Sequence, residues 1–235
     1  MEQNPRADAR PCAAIEWVCV RRNCWRGDAF WWAMLYRMLT WLSQITPRVS
    51  LQRWVRFRLN PADAPLPDAE IRLTAVSEPV LAALRTHPDY AEEAFASGIE
   101  FWDFGVRNGF VWLEDGQPRA FQWQLSATDT MALRARSLWG NMYPPLAPSM
   151  AYQEKMWTFS SARMKGVASR FAFAMFDEAR QAGITTLFAH INELNAPALS
   201  LVNKTGWKRF GTIERFDFDF PVLRNLKFTV AVHLQ

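Results

Sequence analysis

The segment that most constrains the fold is a glycine turn between an apolar stretch and a long helical pattern. It reads Arg163-Met164-Lys165-Gly166-Val167-Ala168, and it predicts a strand over residues 154–159 followed by a helix over residues 168–182. A glycine turn that opens a helix directs several unpaired backbone N–H groups at one point. The segment therefore predicts a seat for a phosphate or pyrophosphate group, and a purely structural turn is the alternative.

The charge of the chain is concentrated at its N-terminus. Residues 1–60 contain ten Arg and four acidic residues, a net charge of +6, whereas the remaining residues contain 17 basic and 19 acidic residues, a net charge of −2. Half of the 235 residues are apolar, which is ample for a core. This distribution argues against a nucleic-acid partner bound over the whole molecule.

The three cysteines also lie near the N-terminus, at Cys12, Cys19 and Cys24. Their number is odd, they contain no C-x-x-C pair, and no histidine lies nearby, so neither a disulfide framework nor a metal site is favoured. We expect free thiols in a reducing compartment and no bound metal.

The first 60 residues are predicted to form a basic, aromatic N-terminal extension. Residues 1–27 lack sustained periodicity and are expected to be a poorly ordered leader, and Met34 and Met38 are plausible alternative starts. From Asp28 to Ile45, apolar residues recur at helical spacing, which predicts an amphipathic helix. Three prolines within residues 61–67 indicate a linker over residues 61–70, so the compact domain is predicted over residues 71–235.

The predicted N-terminal helix has three possible roles. Its apolar run is shorter than 20 residues, is interrupted by Arg37, and precedes no cleavage site, which argues against a membrane span and a signal peptide. The helix could pack on the domain, form a homodimer through residues 28–60, or lie in a membrane interface. We expect a cytoplasmic protein, with peripheral contact at the inner face of a membrane as the further possibility.

The compact domain is predicted to mix strands and helices. The Asp115-Gly116 pair favours a hairpin because it supplies the positive φ that a tight turn needs. Residues 141–148, which are polar and Pro-rich, are expected to form a loop near a substrate. The other predicted strands cover residues 71–76, 184–191, 207–218 and 226–234, and the other predicted helices cover residues 79–85, 90–97 and 196–204.

A second motif lies about thirty residues after the glycine turn. Residues 195–207 read Asn-Ala-Pro-Ala-Leu-Ser-Leu-Val-Asn-Lys-Thr-Gly-Trp. This resembles the pattern Asn-x-x-Ala-x-x-Leu-Tyr-x-Lys-x-Gly-Phe of the GNAT acyltransferase superfamily at six positions. The Arg-x-x-Gly-x-Ala spacing of the first motif resembles the acyl-CoA pyrophosphate loop of the same superfamily, and the resemblance covers about residues 71–235.

The resemblance implies an α/β (α+β) fold with a mixed, mostly antiparallel sheet flanked by helices. The fourth and fifth strands of such a sheet separate, and the pantetheine arm of acetyl-CoA, the implied co-substrate, lies in the gap. Backbone groups of Met156, Trp157 and Thr158 would bind the pantetheine amides, and Asn195 would both cap the next helix and contact the cofactor. The implied pyrophosphate site consists of Arg163, Met164, Lys165, Gly166, Val167, Ala168 and Ser169.

The catalytic residues are less well defined by the resemblance. The usual acid of the superfamily is a tyrosine at the position of Val202, and valine cannot donate a proton. His190, at the end of the predicted fifth strand, is the best candidate for the base because imidazole titrates near neutrality. Glu154 and Glu193 are alternative bases, and a histidine with a purely structural role is the alternative for His190.

The implied function is transfer of an acetyl group from acetyl-CoA to a primary amine by direct attack. The acceptor would be a small molecule or a peptide. Two other functions stay open at this point. One is an acyltransferase that uses a longer acyl-CoA or an acyl carrier protein near a membrane, and the other is a non-catalytic GNAT-like domain that binds CoA or a partner protein.

Overall fold

The computed structural model describes residues 18–20, 28–46, 49–67, 71–136, 142–220 and 226–234. The strands are β1 (Val18–Val20), β2 (Val49–Leu59), β3 (Leu73–Ala75), β4 (Gly109–Glu114), β5 (Gln117–Leu125), β6 (Met150–Thr158), β7 (Thr186–Asn192), β8 (Lys208–Phe220) and β9 (Leu226–Leu234). The helices are α1 (Asp28–Ile45), α2 (Glu78–Thr86), α3 (Glu93–Ile99), α4 (Ala127–Arg136), α5 (Val167–Gln181) and α6 (Ala196–Lys204).

The described strands form one mixed sheet in the order β1-β9-β8-β2-β7-β6-β5-β4-β3. Strands β3 to β6 are antiparallel neighbours, β7 runs parallel to β6, and β1 runs parallel to β9. The other neighbouring pairs are antiparallel. The predicted fold class, a mostly antiparallel mixed sheet with flanking helices, is confirmed.

Strand β2 corrects the predicted division of the chain. It lies inside the predicted extension, yet it pairs with β7 on one side and with β8 on the other, so it occupies the middle of the sheet. Residues 55–59 read Val-Arg-Phe-Arg-Leu, an alternation of apolar and basic residues with the two-residue period of a strand. Val55, Phe57 and Leu59 are buried in the core. The compact unit therefore begins before residue 61 and not at residue 71.

The structure agrees with some of the other predictions for the extension and the linker and differs from others. Helix α1 covers the residues predicted to form a helix. Most of the predicted leader lies outside the described residues, but Val18–Val20 form β1 beside β9. In the predicted linker, Pro61–Asp63 form a short helical turn and Ala64 is buried in the core, so at least its first half packs on the domain.

Helices cover both faces of the sheet. On one face, α5 and α6 pack over Val55, Ala189 and Ile191, with Phe176 and Trp207 closing the cluster. On the opposite face, residues of α2 and α3 pack over buried aromatic side chains of β5 and β6. This face contains Leu81, Leu84, Phe95, Ile99, Phe121, Trp123, Tyr152 and Phe159. The site described below lies where the two layers meet, between β6 and β7.

The hairpin predicted from Asp115-Gly116 is confirmed. Strands β4 and β5 pair directly across it, with Glu114 opposite Gln117. Asp115 has φ +52° and Gly116 has φ +74°, which are the positive values that a two-residue turn between antiparallel strands needs. Within the part of the chain that the structure describes, no helix combines the length and the apolar character needed to cross a membrane.

Candidate functional site

Strands β6 and β7 are paired over only three residues each. Met150–Tyr152 of β6 face residues 186–188 of β7, after which β6 continues along β5 and β7 continues along β2. The predicted separation of the fourth and fifth strands of the domain, which are β6 and β7, is therefore present. Beyond Tyr152, no described strand pairs with the edge of β6 that faces the gap. Such an edge suits a ligand with peptide-like amides, which can pair with it as a strand would.

A β-bulge in β6 lies where the two strands diverge. The pairing of β5 with β6 shifts by one residue between Trp123, opposite Glu154, and Phe121, opposite Trp157. Lys155 has φ +56°, a left-handed conformation that is uncommon for a residue with a side chain. A bulge bends the strand that carries it. This bend explains why β6 leaves β7 after so short a contact.

A cavity of about 290 Å³ occupies the gap. Its walls come from both strands and from α6, and they include Trp54 of β2 and Tyr143 of the loop before β6. Met156, Trp157 and Asn195, which were predicted to bind the cofactor, are among the lining residues. The structure thus places β6, β7 and the start of α6 around one space.

The predicted phosphate loop lies at the N-terminus of α5. Gly166 has φ +73°, and a Cβ atom added there would meet nothing within 4 Å, so the space above the turn is open. The first intrahelical bond of α5 runs from the N–H of Arg170 to the carbonyl of Gly166. The N–H groups of Val167, Ala168 and Ser169 precede it and have no partner within the helix. The loop therefore fits a pyrophosphate group.

The two basic side chains of this loop make contacts within the protein. Arg163 donates from Nε to the carbonyl of Thr158 at 3.1 Å and from a terminal nitrogen to Glu92 at 3.2 Å, and its guanidinium lies 4.8 Å from the Trp157 ring centroid. Lys165 donates from Nζ to the carbonyl of Ser161 at 2.9 Å. Both side chains shape the loop, and their direct contact with a phosphate stays a prediction.

Asp89 supports the end of β6, a role that no local sequence pattern revealed. Its buried carboxylate accepts hydrogen bonds from Trp157 Nε1 at 3.0 Å, Ser160 N at 2.9 Å and Ser160 Oγ at 2.7 Å. Burial tends to raise the pKa of Asp89, but the bonds from Ser160 and Trp157 outweigh it and lower the pKa below its usual value. Asp89 thus fixes the strand end that leads into the phosphate loop.

Glu154 and His190, which were predicted as separate candidates for the base, lie in contact. The backbone N–H of His190 donates to Glu154 Oε1 at 3.1 Å, and His190 Nδ1 lies 3.6 Å from the same oxygen. Both side chains are buried and line the cavity. Burial raises the pKa of Glu154 to about 8, against the opposing effects of the Lys155 charge and the His190 hydrogen bond. Glu154 can therefore gain or lose a proton near neutral pH.

Several buried polar residues surround this pair and were not predicted. The rings of Tyr143 and Tyr152 lie 5.6 Å and 4.8 Å from the His190 ring, measured between centroids. Burial raises the pKa of both tyrosines, so they stay protonated at neutral pH. Arg56 is directly opposite His190 in the pairing of β2 with β7. This position of Arg56 beside His190 could not be predicted, because residue 56 was predicted to lie in the N-terminal extension and not in the domain.

The α6 motif has one expected feature and one that departs from the family pattern. Asn195 caps α6, and its side-chain oxygen accepts a hydrogen bond from the N–H of Ala198 at 3.1 Å. Asn195 also lines the cavity, and its contact with the cofactor stays a prediction. Val202 is buried and lines the cavity, so the position of the usual acid is an apolar wall.

Comparison with known proteins gives a match at the level of the fold. No family model matches the chain, and no curated protein sequence matches it. Two similar solved structures are a GCN5-related glucosamine N-acetyltransferase region of a fungal multi-domain β-N-acetylglucosaminidase and a GCN5-related N-acetyltransferase from Sphaerobacter thermophilus. They have TM-scores of 0.53 and 0.50, sequence identities of 12% and 13%, and 86% and 75% of this chain in the alignment. The chain has the GNAT fold.

Each match covers only part of the neighbouring protein. The chain spans 23% of the fungal protein, 54% of the Sphaerobacter protein and 58% of a Drosophila protein that aligns with a TM-score of 0.51 and 14% identity over 80% of this chain. Identities this low show a shared fold and do not show a shared activity or substrate. Among the described residues, no group of three or more His, Cys, Asp or Glu side chains could hold a metal ion.

Proposed function

We propose that the protein is an N-acyltransferase that transfers an acetyl group from acetyl-CoA to a primary amine by direct attack. One observation carries the proposal. The gap between β6 and β7 holds a cavity lined by a buried pair of proton-transfer groups, Glu154 and His190, and β6 continues through the glycine turn into the open N-terminus of α5. A phosphate site, a strand edge that faces a gap and a base are the parts that acyl transfer from a CoA thioester needs.

The donor would be held mainly by backbone groups. Backbone groups of β6 at Met156, Trp157 and Thr158 would bind the pantetheine amides on the side that faces the gap, and the N–H groups of α5 would bind the pyrophosphate. Asp89 and Arg163 contact residues 157–160 and would hold the end of β6 in a fixed position relative to α5. The bound donor supplies the activated thioester.

His190 and Glu154 would remove the proton from the attacking amine. The new C–N bond forms as the C–S bond breaks, and the amine proton passes to the imidazole of His190. Glu154 lies beside this imidazole and stabilises the imidazolium when its carboxyl is ionised. The thiolate leaves with the electron pair of the C–S bond. Val202 cannot protonate it, so the proton would come from solvent or from Tyr143, which lines the same cavity.

A second candidate function follows from Val202. Because an apolar side chain occupies the position of the usual acid, a GNAT-like domain that binds CoA or a partner protein without turnover is the alternative. A longer acyl donor, as acyl-CoA or on an acyl carrier protein, is the alternative within catalysis. An assay of thiol release from acetyl-CoA and from longer acyl-CoA donors, across a panel of amines, separates these functions.

Binding of the donor can be tested before any acceptor is known. Acetyl-CoA at 100 times its dissociation constant should stabilise the protein by about 3 kcal/mol, which corresponds to a rise in melting temperature of roughly 5–10 °C for a domain of this size. Gly166→Glu should abolish the rise, because it places charge and bulk at the proposed phosphate seat.

Gly183→Glu is the matched control for this substitution. Gly183 follows the other end of α5, has φ +74° against +73° for Gly166, and likewise has nothing within 4 Å of an added Cβ. Both variants therefore carry a similar backbone strain and the same added charge. If the two variants respond equally to acetyl-CoA, or if the wild-type protein shows no response to any acyl-CoA, the proposed donor site is wrong.

A further inference from the structure

Helix α1 presents an apolar stripe to the outside of the protein. The stripe consists of Met34, Met38, Trp41 and Ile45, whose exposed fractions are 47%, 48%, 57% and 56%. An α-helix turns by about 100° per residue, so these four side chains lie within about 60° of one another around the helix axis. Leu39, about 140° around the helix from Met34, is buried. The helix therefore packs one side inward and leaves the stripe without a described partner.

The charged residues of α1 and of the sequence segments next to it are almost all basic. Within α1, Asp28 at the first position is the sole acidic residue, and the exposed Arg37 lies about 60° from Met34 at the border of the stripe. In the sequence, Arg21, Arg22 and Arg26 immediately precede the helix and Arg48 follows it. Lipid headgroups of an anionic membrane attract such basic segments, and an interfacial helix needs an apolar stripe of this kind.

We propose that α1 docks the protein on the surface of an anionic membrane through Met34, Met38, Trp41 and Ile45. A second copy of this chain is the less favoured occupant, because two segments with a net charge of +6 each would repel when brought together. Each partner of a stable protein complex buries roughly 800 Å² of surface, and four half-exposed side chains provide only a small part of that area. The inference stands apart from the proposed acyl transfer.

The test is co-sedimentation of the full chain with vesicles. Vesicles of phosphatidylcholine with about 30% phosphatidylserine should bind the protein, whereas vesicles of phosphatidylcholine alone should bind it at least about tenfold more weakly. Raising the salt concentration should also weaken binding, because the attraction to anionic headgroups is screened. Binding that is equal for both vesicles, or absent for both, would overturn the proposal.

Substitutions within the stripe locate the contact. Met38→Ser with Trp41→Ser should weaken binding to anionic vesicles at least about tenfold, because two large apolar side chains no longer enter the interface. The matched control is Leu66→Ser with Met131→Ser, two exposed apolar residues outside α1, and it should bind as the wild-type protein does. Met34→Ser with Ile45→Ser provides a second pair from the same stripe in case the first pair does not fold.

The oligomeric state of the protein tests the alternative, in which a second copy of this chain covers the stripe. Sedimentation velocity of the wild-type protein should show no dimer that depends on the stripe. A dimer that the Met38 and Trp41 substitutions dissociate, together with equal or absent vesicle binding by the wild-type protein and the control, would assign the stripe to a second copy and overturn the membrane proposal.

Discussion

Glu154 gives the most direct quantitative test of the site. Because its pKa differs between the folded and the unfolded state, it makes the stability of the whole protein depend on pH. The pKa of this carboxyl is raised from an ordinary value of 4.5 to about 8, chiefly by burial. Between these two values the folded state holds a proton that the unfolded state has released. Folding stability therefore falls as the pH rises through this window, and the penalty is complete above about pH 8.

Glu154→Gln removes this penalty while keeping an oxygen that can accept the hydrogen bond from the His190 backbone N–H. Relative to the variant, the wild-type protein should lose about 2–3 kcal/mol of unfolding free energy between pH 6 and pH 9, from integration of the proton linkage with pKa values of 4.5 and about 8. The variant should be the more stable protein at pH 9.

Urea denaturation at pH 6, 7, 8 and 9 measures this difference directly. Glu93→Gln is the matched control, because Glu93 is an exposed carboxyl at the start of α3, and it should follow the wild-type pH dependence. If Glu154→Gln and the wild-type protein lose stability in parallel over this range, then Glu154 is not a buried carboxyl with a raised pKa, and the proposed proton-transfer pair loses its electrostatic basis.

Two further substitutions test the roles of neighbouring residues. His190→Ala should lower kcat for amine acetylation by about 10²–10⁴-fold with the acetyl-CoA melting shift retained, and unchanged turnover with an unchanged pH profile would refute its role as base. Asp89→Asn should cost about 1–3 kcal/mol of unfolding free energy at pH 7 in urea denaturation and weaken acetyl-CoA binding, because the charged acceptor for Trp157 and Ser160 is lost. Since the pKa of Asp89 is lowered, its contribution is present above the ordinary Asp value and should disappear as the pH falls through the lowered one; a difference that persists at lower pH would contradict this.

The parts of the fold that could be predicted are those encoded over short stretches of chain. The glycine turn at Gly166, the hairpin at Asp115-Gly116 and the helix over Ala196–Lys204 each depend on residues within a few positions of one another. Backbone conformation and helix capping act over this range, so their sequence patterns are direct. The two motifs that carry the GNAT resemblance are of this kind.

The parts that could not be predicted depend on long-range pairing. The contact of Asp89 with Ser160 joins residues 71 positions apart, and the pairing of Arg56 with His190 joins two strands that are far apart in the sequence. Glu154 was predicted to open its strand, but β6 begins at Met150, so Glu154 lies in the buried middle. That difference of four residues determines whether its carboxyl is solvated or has a raised pKa.

The position of β2 changes how the N-terminal segment can be studied. Deletion of residues 1–60 would remove α1, but it would also remove the strand between β7 and β8 and the core residues Val55, Phe57 and Leu59. Loss of several buried side chains of this size costs more than the stability of a typical domain. A truncated protein that fails to bind vesicles or acyl-CoA would therefore be uninformative about α1. Because β2 also contributes Trp54 to the cavity wall, the N-terminal segment belongs to the candidate site itself, and point substitutions on the exposed stripe are the way to separate docking from folding and catalysis.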